Sequence, residues 1–196
     1  MKLLMLLYFS AFFLTAFVWR SYLVWKRTGV NPYQLGSSDS PHDFIGRLFR
    51  LTMIAVVVIV VTYAVSDSAY QFLTPIPWLG HPLLTWVGTA LLVLALVWML
   101  MAQAQMGNAW RIGIDAGAKT ELVQTGLFAV SRNPIFLSML VMLLGLFLVL
   151  PSAASLAVSV LGAALIHIQV RLEEEHLARL HGEAYRAYCR RVRRWL

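Results

Sequence analysis

Arg132-Asn133-Pro134 and Glu173-Glu174-Glu175 are the residues of this chain best suited to chemistry. Each cluster sits at the end of a strongly apolar run, where ionisable groups are costly to desolvate and persist for a task. A guanidinium presents a planar fork that can hold a carboxylate. Carboxylates facing it can take ammonium or hydroxyl groups in charge-assisted hydrogen bonds. The two clusters are predicted on the same side of a membrane, where together they frame a polar cofactor pocket. That arrangement points to an enzyme rather than a passive anchor.

The acidic cluster has other readings. On a helix through it, His167, Arg171 and Glu174 share one face, and Glu173 lies on the neighbouring face above Gln169. The charge pattern alone also reads as an interfacial helix whose glutamates pair with nearby arginines and water. Glu173-x-x-His176 has the spacing of a di-iron motif, but such sites need two copies and further inward glutamates, and only one copy is present. No metal site is expected. His42 and His81 sit beside Pro41 and Pro82, His181 lies in the tail, and His167 is a lone histidine inside an apolar run. Ser131 and Ser138 lack a histidine–carboxylate pair nearby in sequence, and no glycine-rich phosphate loop occurs. The single cysteine, Cys189, excludes an internal disulfide and any cysteine-based metal site.

The elements that must position these residues are apolar. The 196-residue chain is 60% hydrophobic and 13% charged, with a mean hydropathy of +0.72. Soluble domains are about half apolar and about a quarter charged, so this is a membrane protein with one domain. About twenty residues cross a bilayer as a helix. Five stretches qualify or come close: 3–24, 44–65, 83–102, 135–150 and 152–170. The expected fold is therefore an all-α integral membrane protein of about five transmembrane helices. Pro151 leaves almost no loop between the last two, which predicts a tight helical hairpin. Residues 1–102 form three amino-terminal spans, and 103–196 form a cofactor-binding half with two spans and a tail. The first stretch is long, is followed by Arg20, Lys26 and Arg27, and shows no small-x-small cleavage site, so it reads as a retained span.

Basic residues set the expected orientation. The first connection carries Arg20, Lys26, Arg27, Arg47 and Arg50, and the third carries Arg111, Lys119 and Arg132. The tail carries Arg171, Arg179, Arg186, Arg190, Arg191, Arg193 and Arg194. The second connection, 66–82, has none. The amino terminus is thus expected outside and the carboxyl terminus in the cytosol, in a bacterial cytoplasmic membrane. The net charge of +7 fits attraction to anionic lipid headgroups. No recognition motif accompanies it, so nucleic acid is not an expected partner. Residues 26–43, with Gly29, Pro32, Gly36, Ser37, Ser38 and Pro41, read as an irregular loop. Residues 103–132 carry Gly107, Gly113, Gly117 and Gly126 and lead into a helix start at Asn133-Pro134.

An ordered set of motifs carries a family resemblance. Gly107-Asn108-Ala109-Trp110, Leu122-Val123-x-x-Gly126-Leu127-Phe128 and Arg132-Asn133-Pro134-Ile135-Phe136 are followed by Glu173-Glu174-x-x-Leu177 and Gly182-x-x-Tyr185-x-x-Tyr188. Over about 106–188 this resembles the carboxyl half of isoprenylcysteine carboxyl methyltransferases, and the wider group that includes phospholipid N-methyltransferases. Two positions depart from that family's Arg-His-Pro-x-Tyr: Asn133 cannot titrate, and Phe136 has no hydroxyl.

The resemblance implies S-adenosylmethionine as methyl donor. It further implies a site in which Arg132, with Asn133, Pro134 and Phe136 around it, meets the donor's carboxylate. Glu173 and Glu174 would receive its ammonium or ribose hydroxyls, and Leu122, Val123, Gly126, Leu127 and Phe128 would line the adenine. Arg132, Asn133, Glu173 and Glu174 are the expected catalytic set. The partner is a lipophilic acceptor reached from the surrounding membrane lipids: an isoprenylcysteine-like carboxylate, a lipid amine, or a small acid or thiol. Two alternatives stand beside it: a membrane reductase using a nicotinamide cofactor, and a non-enzymatic small membrane subunit.

Overall fold

A computed structural model describes residues 1–32, 41–110 and 121–196. Gly36, Ser37 and Ser38 of the first expected loop lie outside the described residues, as do Arg111, Gly113, Gly117 and Lys119 of the second. The fold is all-α, as expected. Its main helices are α1 (Lys2–Thr28), α2 (Pro41–Val65), α3 (Pro82–Met106), α4 (Pro134–Val149), α5 (Ala153–His181) and α6 (Glu183–Arg191).

Among the described residues four helices are long and apolar enough to cross a membrane: α1, α2, α3 with its following turn, and α5. The fifth apolar stretch forms α4, whose 16 residues reach only about 24 Å at about 1.5 Å per residue. That is short of the roughly 30 Å hydrocarbon core. The about five expected helices are thus present, four of them long enough to cross and one a shorter apolar helix.

Local chemistry starts and stops these helices. Proline occupies the first turn of α3 and of α4, where its missing N–H would be unpaired anyway. At the α4–α5 turn, Ser152 and Ser155 cap each other reciprocally, each backbone N–H meeting the other's hydroxyl at 3.1 Å. This turn is enclosed. Leu150, Ser152 and Ser155 are all fully buried, and the segment before α3 covers them. Ile76 N–H donates to the Pro151 carbonyl at 2.8 Å, and Ala153 N–H donates to the Thr74 carbonyl at 2.9 Å.

Helices α3 and α4 approach most closely. A Cβ at Gly88 would lie 2.9 Å from the Gly145 carbonyl, and one at Gly145 would lie 3.0 Å from the Gly88 carbonyl. Small residues at such a crossing let membrane helices pack backbone to backbone. Helix α1 joins α3 through two long-range hydrogen bonds. Tyr8 hydroxyl donates to the Leu92 carbonyl at 2.7 Å, and Gln103 Nε2 donates to the Ala16 carbonyl at 2.9 Å. Ala16 lies in a π-helical stretch, Leu14–Trp19, and such widened turns free a carbonyl for a side-chain donor. The core between the helices contains Phe12, Val56, Leu92, Met99, Met142, Leu146 and Ile166.

The two ends of the bundle differ in charge. At one end Lys2 pairs with Asp67 at 2.7 Å. At the other, Arg20 donates to the Gly107 carbonyl and Arg132 meets residues of the tail. Connections that the basic residues assign to one side therefore meet at one end.

Candidate active site

At that basic end the helices enclose about 860 Å³ of free space, its open mouth included. Phe17 of α1 and Gly46 and Phe49 of α2 form one wall. Gln103 and Met106 of α3 stand beside Trp110 and Phe128. The start of α4 adds Arg132, Asn133, Pro134, Ile135, Phe136 and Met139, and α5 adds Gln169 and Glu173 one turn apart.

Of the residues expected from the sequence, Phe128, Arg132, Asn133, Pro134, Phe136 and Glu173 are brought together around this space. Leu122, Val123, Gly126, Leu127 and Glu174 do not line it. Leu122 instead packs on a small cluster of Tyr185, Tyr188 and Val192. Gly126 makes the turn that delivers Phe128. Its φ is +62°, and a Cβ there would meet the Gln105 side chain at 2.5 Å. Gln105 Oε1 accepts from Leu127 N–H at 2.7 Å. Tyr188 hydroxyl donates to the Phe128 carbonyl at 2.6 Å, and burial pushes that hydroxyl's pKa up to about 12. α6 therefore braces the Phe128 turn from behind with a group that stays protonated.

The paired glutamates have different surroundings. Glu174 is the hub of an ion cluster. Its Oε1 accepts from Arg132 Nε at 3.2 Å, Arg132 Nη2 at 3.1 Å and Asn133 Nδ2 at 3.0 Å. Its Oε2 accepts from Arg194 Nε at 3.1 Å and Nη2 at 2.8 Å. Arg132 Nη1 donates to the carbonyls of Cys189 at 3.3 Å and Val192 at 3.1 Å. A guanidinium has five N–H groups, so these contacts leave one on Nη2 for a ligand. Glu173, by contrast, stands in the cavity wall without a hydrogen-bond donor among the described residues. Glu175 is exposed and pairs with Arg179 one turn on.

Sequence reasoning missed Phe17, Gly46, Phe49 and Met139, which are apolar residues within apolar helices and carry no distinguishing signal. Gln103 and Gln169 had one: a polar amide at the edge of an apolar run needs a partner or a cavity. Gln103 is 2% exposed and its Oε1 has no donor among the described residues. Among the described residues no three His, Cys, Asp or Glu side chains are grouped to hold a metal ion.

The cavity's second half belongs to a region with known relatives. The family model for phospholipid methyltransferase matches residues 83–184, about half of the chain. The nickel-cobalt-cadmium resistance protein NccN of Alcaligenes xylosoxydans xylosoxydans is 31% identical over 109 residues, which are 55% of this chain and 50% of that protein. The match therefore spans half the length of this relative. No solved structure matches. With this match extending from the start of α3 into α6, across nearly every polar residue of the cavity wall, the chain belongs to the phospholipid methyltransferase family.

Proposed function

We propose that the protein transfers a methyl group from S-adenosylmethionine to a lipophilic acceptor, in the cavity at the basic end of its helices. The observation that carries this reading is Glu173, a carboxylate in the cavity wall with no donor among the described residues. The donor set suits the cofactor. Glu173 offers an acceptor for an ammonium or ribose hydroxyl, Arg132 keeps one N–H for a carboxylate, and Phe128 and Trp110 offer flat faces for an adenine. Bound there, the cofactor supplies a methyl group made electrophilic by a sulfonium.

The chain's own part is binding, orientation and exclusion of water. Glu173 and Arg132 would fix one end of the donor, and most of the rate gain comes from holding the acceptor atom in line with the methyl. Phe17, Phe49, Phe136 and Met139 provide an apolar wall that shields the reacting atoms from water. A drier site favours the step, because the sulfonium charge disappears as the methyl leaves. Asn133 and Phe136 cannot take a proton. Among the described cavity residues Glu173 is the one Brønsted base, and it would receive a proton from an acceptor that carries one.

The positive-inside rule supports a cytosolic position for this end, and the water-soluble donor would enter there. The lipophilic acceptor, whether a lipid amine, an isoprenylcysteine-like carboxylate or a small acid or thiol, would enter between the helices. The sequence relative from Alcaligenes supports a bacterial cytoplasmic membrane. Calorimetric titration of the purified protein with S-adenosylmethionine, and separately with NADPH, tests the reading. Binding of the first and not the second is expected. NADPH binding would favour a reductase, and binding of neither would favour a non-enzymatic subunit. Incubating membranes with methyl-labelled donor and extracting the lipids then identifies the acceptor.

A further inference from the structure

Beyond α6 the chain folds back as a strap, residues 192–195, over the start of α4 and the end of α5. Arg132 N–H donates to the Arg193 carbonyl at 3.0 Å. Ser131 hydroxyl donates to the Arg194 carbonyl at 3.4 Å and Asn133 Nδ2 donates to it at 3.2 Å. The Trp195 ring stands edge-on to His167, with centroids 5.2 Å apart, and packs on the main core. The Arg194 side chain reaches Glu174 Oε2 with two of its nitrogens, at 3.1 and 2.8 Å.

This network decides which way the Asn133 amide points. Its two Nδ2 hydrogens go to two acceptors, Glu174 Oε1 and the Arg194 carbonyl. The flipped amide would set an oxygen against both, lone pair against lone pair. Asn133 Oδ1 is therefore the atom left without a donor among the described residues, on a side chain that lines the cavity. Glu174 accepts five N–H contacts from three residues, against roughly four lone-pair positions on a carboxylate, and has none to spare for a ligand. Its side chain is 11% exposed between two cations, a position in which each oxygen needs its own partner.

From this juxtaposition we propose that Arg194 is a positioning residue of the site. Its side chain holds Glu174, its carbonyl holds Asn133, and together they keep the amide oxygen of Asn133 presented to a donor group of the bound ligand. The proposal rests on the cofactor reading above for the ligand's identity, but not for the orientation of the amide. Without the Arg194 guanidinium, Glu174 Oε2 loses both partners and the carboxylate turns toward Arg132. The Asn133 amide is then oriented by the Arg194 carbonyl alone, one acceptor in place of two, and the flipped form is less strongly opposed.

The test uses the full chain in lipid nanodiscs. Arg194→Met is expected to weaken S-adenosylmethionine binding about tenfold, and Arg194→Lys, which restores one charged donor, about threefold. In an Asn133→Ala background Arg194→Met adds less than about twofold, whereas in a Glu173→Gln background it adds its full effect. A merely structural strap would weaken binding equally in both backgrounds. Wild-type affinity in Arg194→Met, or an undiminished effect beside Asn133→Ala, overturns the proposal. If Arg194→Met does not fold, the same cycle is run with Arg194→Lys. A second readout needs no cofactor: the side-chain amide protons of Asn133, assigned by their absence in Asn133→Asp, exchange slowly in the wild type and fast in Arg194→Lys. Equal exchange in both overturns the proposal. Failure of the wild type to bind S-adenosylmethionine removes the methyltransferase reading instead.

Discussion

The two ends of the α4–α5 hairpin bury polar groups in opposite ways. At the turn, Ser155 hydroxyl donates to the Leu150 carbonyl at 2.6 Å and accepts from the Ser152 backbone. Neutral groups there satisfy one another, and the segment before α3 closes over them. At the other end the groups are charged. Glu174 is satisfied by three residues, while Glu173, its neighbour in sequence, faces a cavity without a donor among the described residues. A buried polar group left unpaired costs about 1–3 kcal/mol, more when it is charged. The turn avoids that cost, and the cavity end retains it at the Glu173 carboxylate and at the amide oxygens of Gln103 and Asn133. The contrast separates polar groups that close a structure from those that are held open.

Glu174→Ala should break this contrast most severely. It leaves Arg132, 12% exposed, without its carboxylate, and breaking such a pair costs about 3–5 kcal/mol. At roughly 2–4 °C per kcal/mol for a chain of this size, the thermal midpoint in detergent should fall by on the order of 10 °C. A fall of about 2 °C or less would mean that the ion cluster is not what holds the tail.

Glu173→Gln should show the opposite pattern. Loss of one charge-assisted contact, about 1.5–3 kcal/mol, weakens S-adenosylmethionine binding roughly ten- to a hundredfold, and the midpoint stays where it was. Glu175→Gln, at an exposed pair with Arg179, should change neither quantity. Small and equal effects at all three glutamates would reduce the segment to an interfacial salt-bridge helix.

Ser155→Ala sharpens the comparison from the far end. It removes the hydroxyl that satisfies the Leu150 carbonyl and the Ser152 N–H, which should cost about 1–3 kcal/mol of stability and leave donor binding unchanged. Any loss of donor affinity in this variant would show that the two ends are coupled. The smallest effect is expected at Phe136→Tyr, whose added hydroxyl meets a cavity wall that already holds polar side chains. Donor affinity should stay within about twofold, and a larger loss in a titration would mean that the added hydroxyl finds no polar partner in the wall.

Much of this site was legible because charged and turn-forming residues are rare in an apolar chain. Arg132, Asn133, Pro134 and Glu173 stand out at the ends of apolar runs, and each is found on the cavity wall. Phe17, Gly46 and Phe49 were not legible. In a helix apolar on every side, no periodicity distinguishes a residue facing a cavity from one facing lipid or core. Leu122 shows the converse: a motif residue beside the site packs against Tyr185 and Tyr188 instead.

The sequence by itself determined an all-α membrane chain, the gathering of its basic connections at one end, the tight α4–α5 turn and the polar clusters that could serve a cofactor. These follow from local properties: hydropathy over a span, proline and serine at helix starts, and charge beside apolar runs. Only the tertiary structure decided how the paired glutamates divide. On one helix, adjacent residues point about 100° apart. Which of the two meets Arg132 and Arg194, and which meets the cavity, depends on how α5 is rotated against α4 and on where the tail returns. That rotation is set by packing between helices remote in sequence, and no local pattern encodes it.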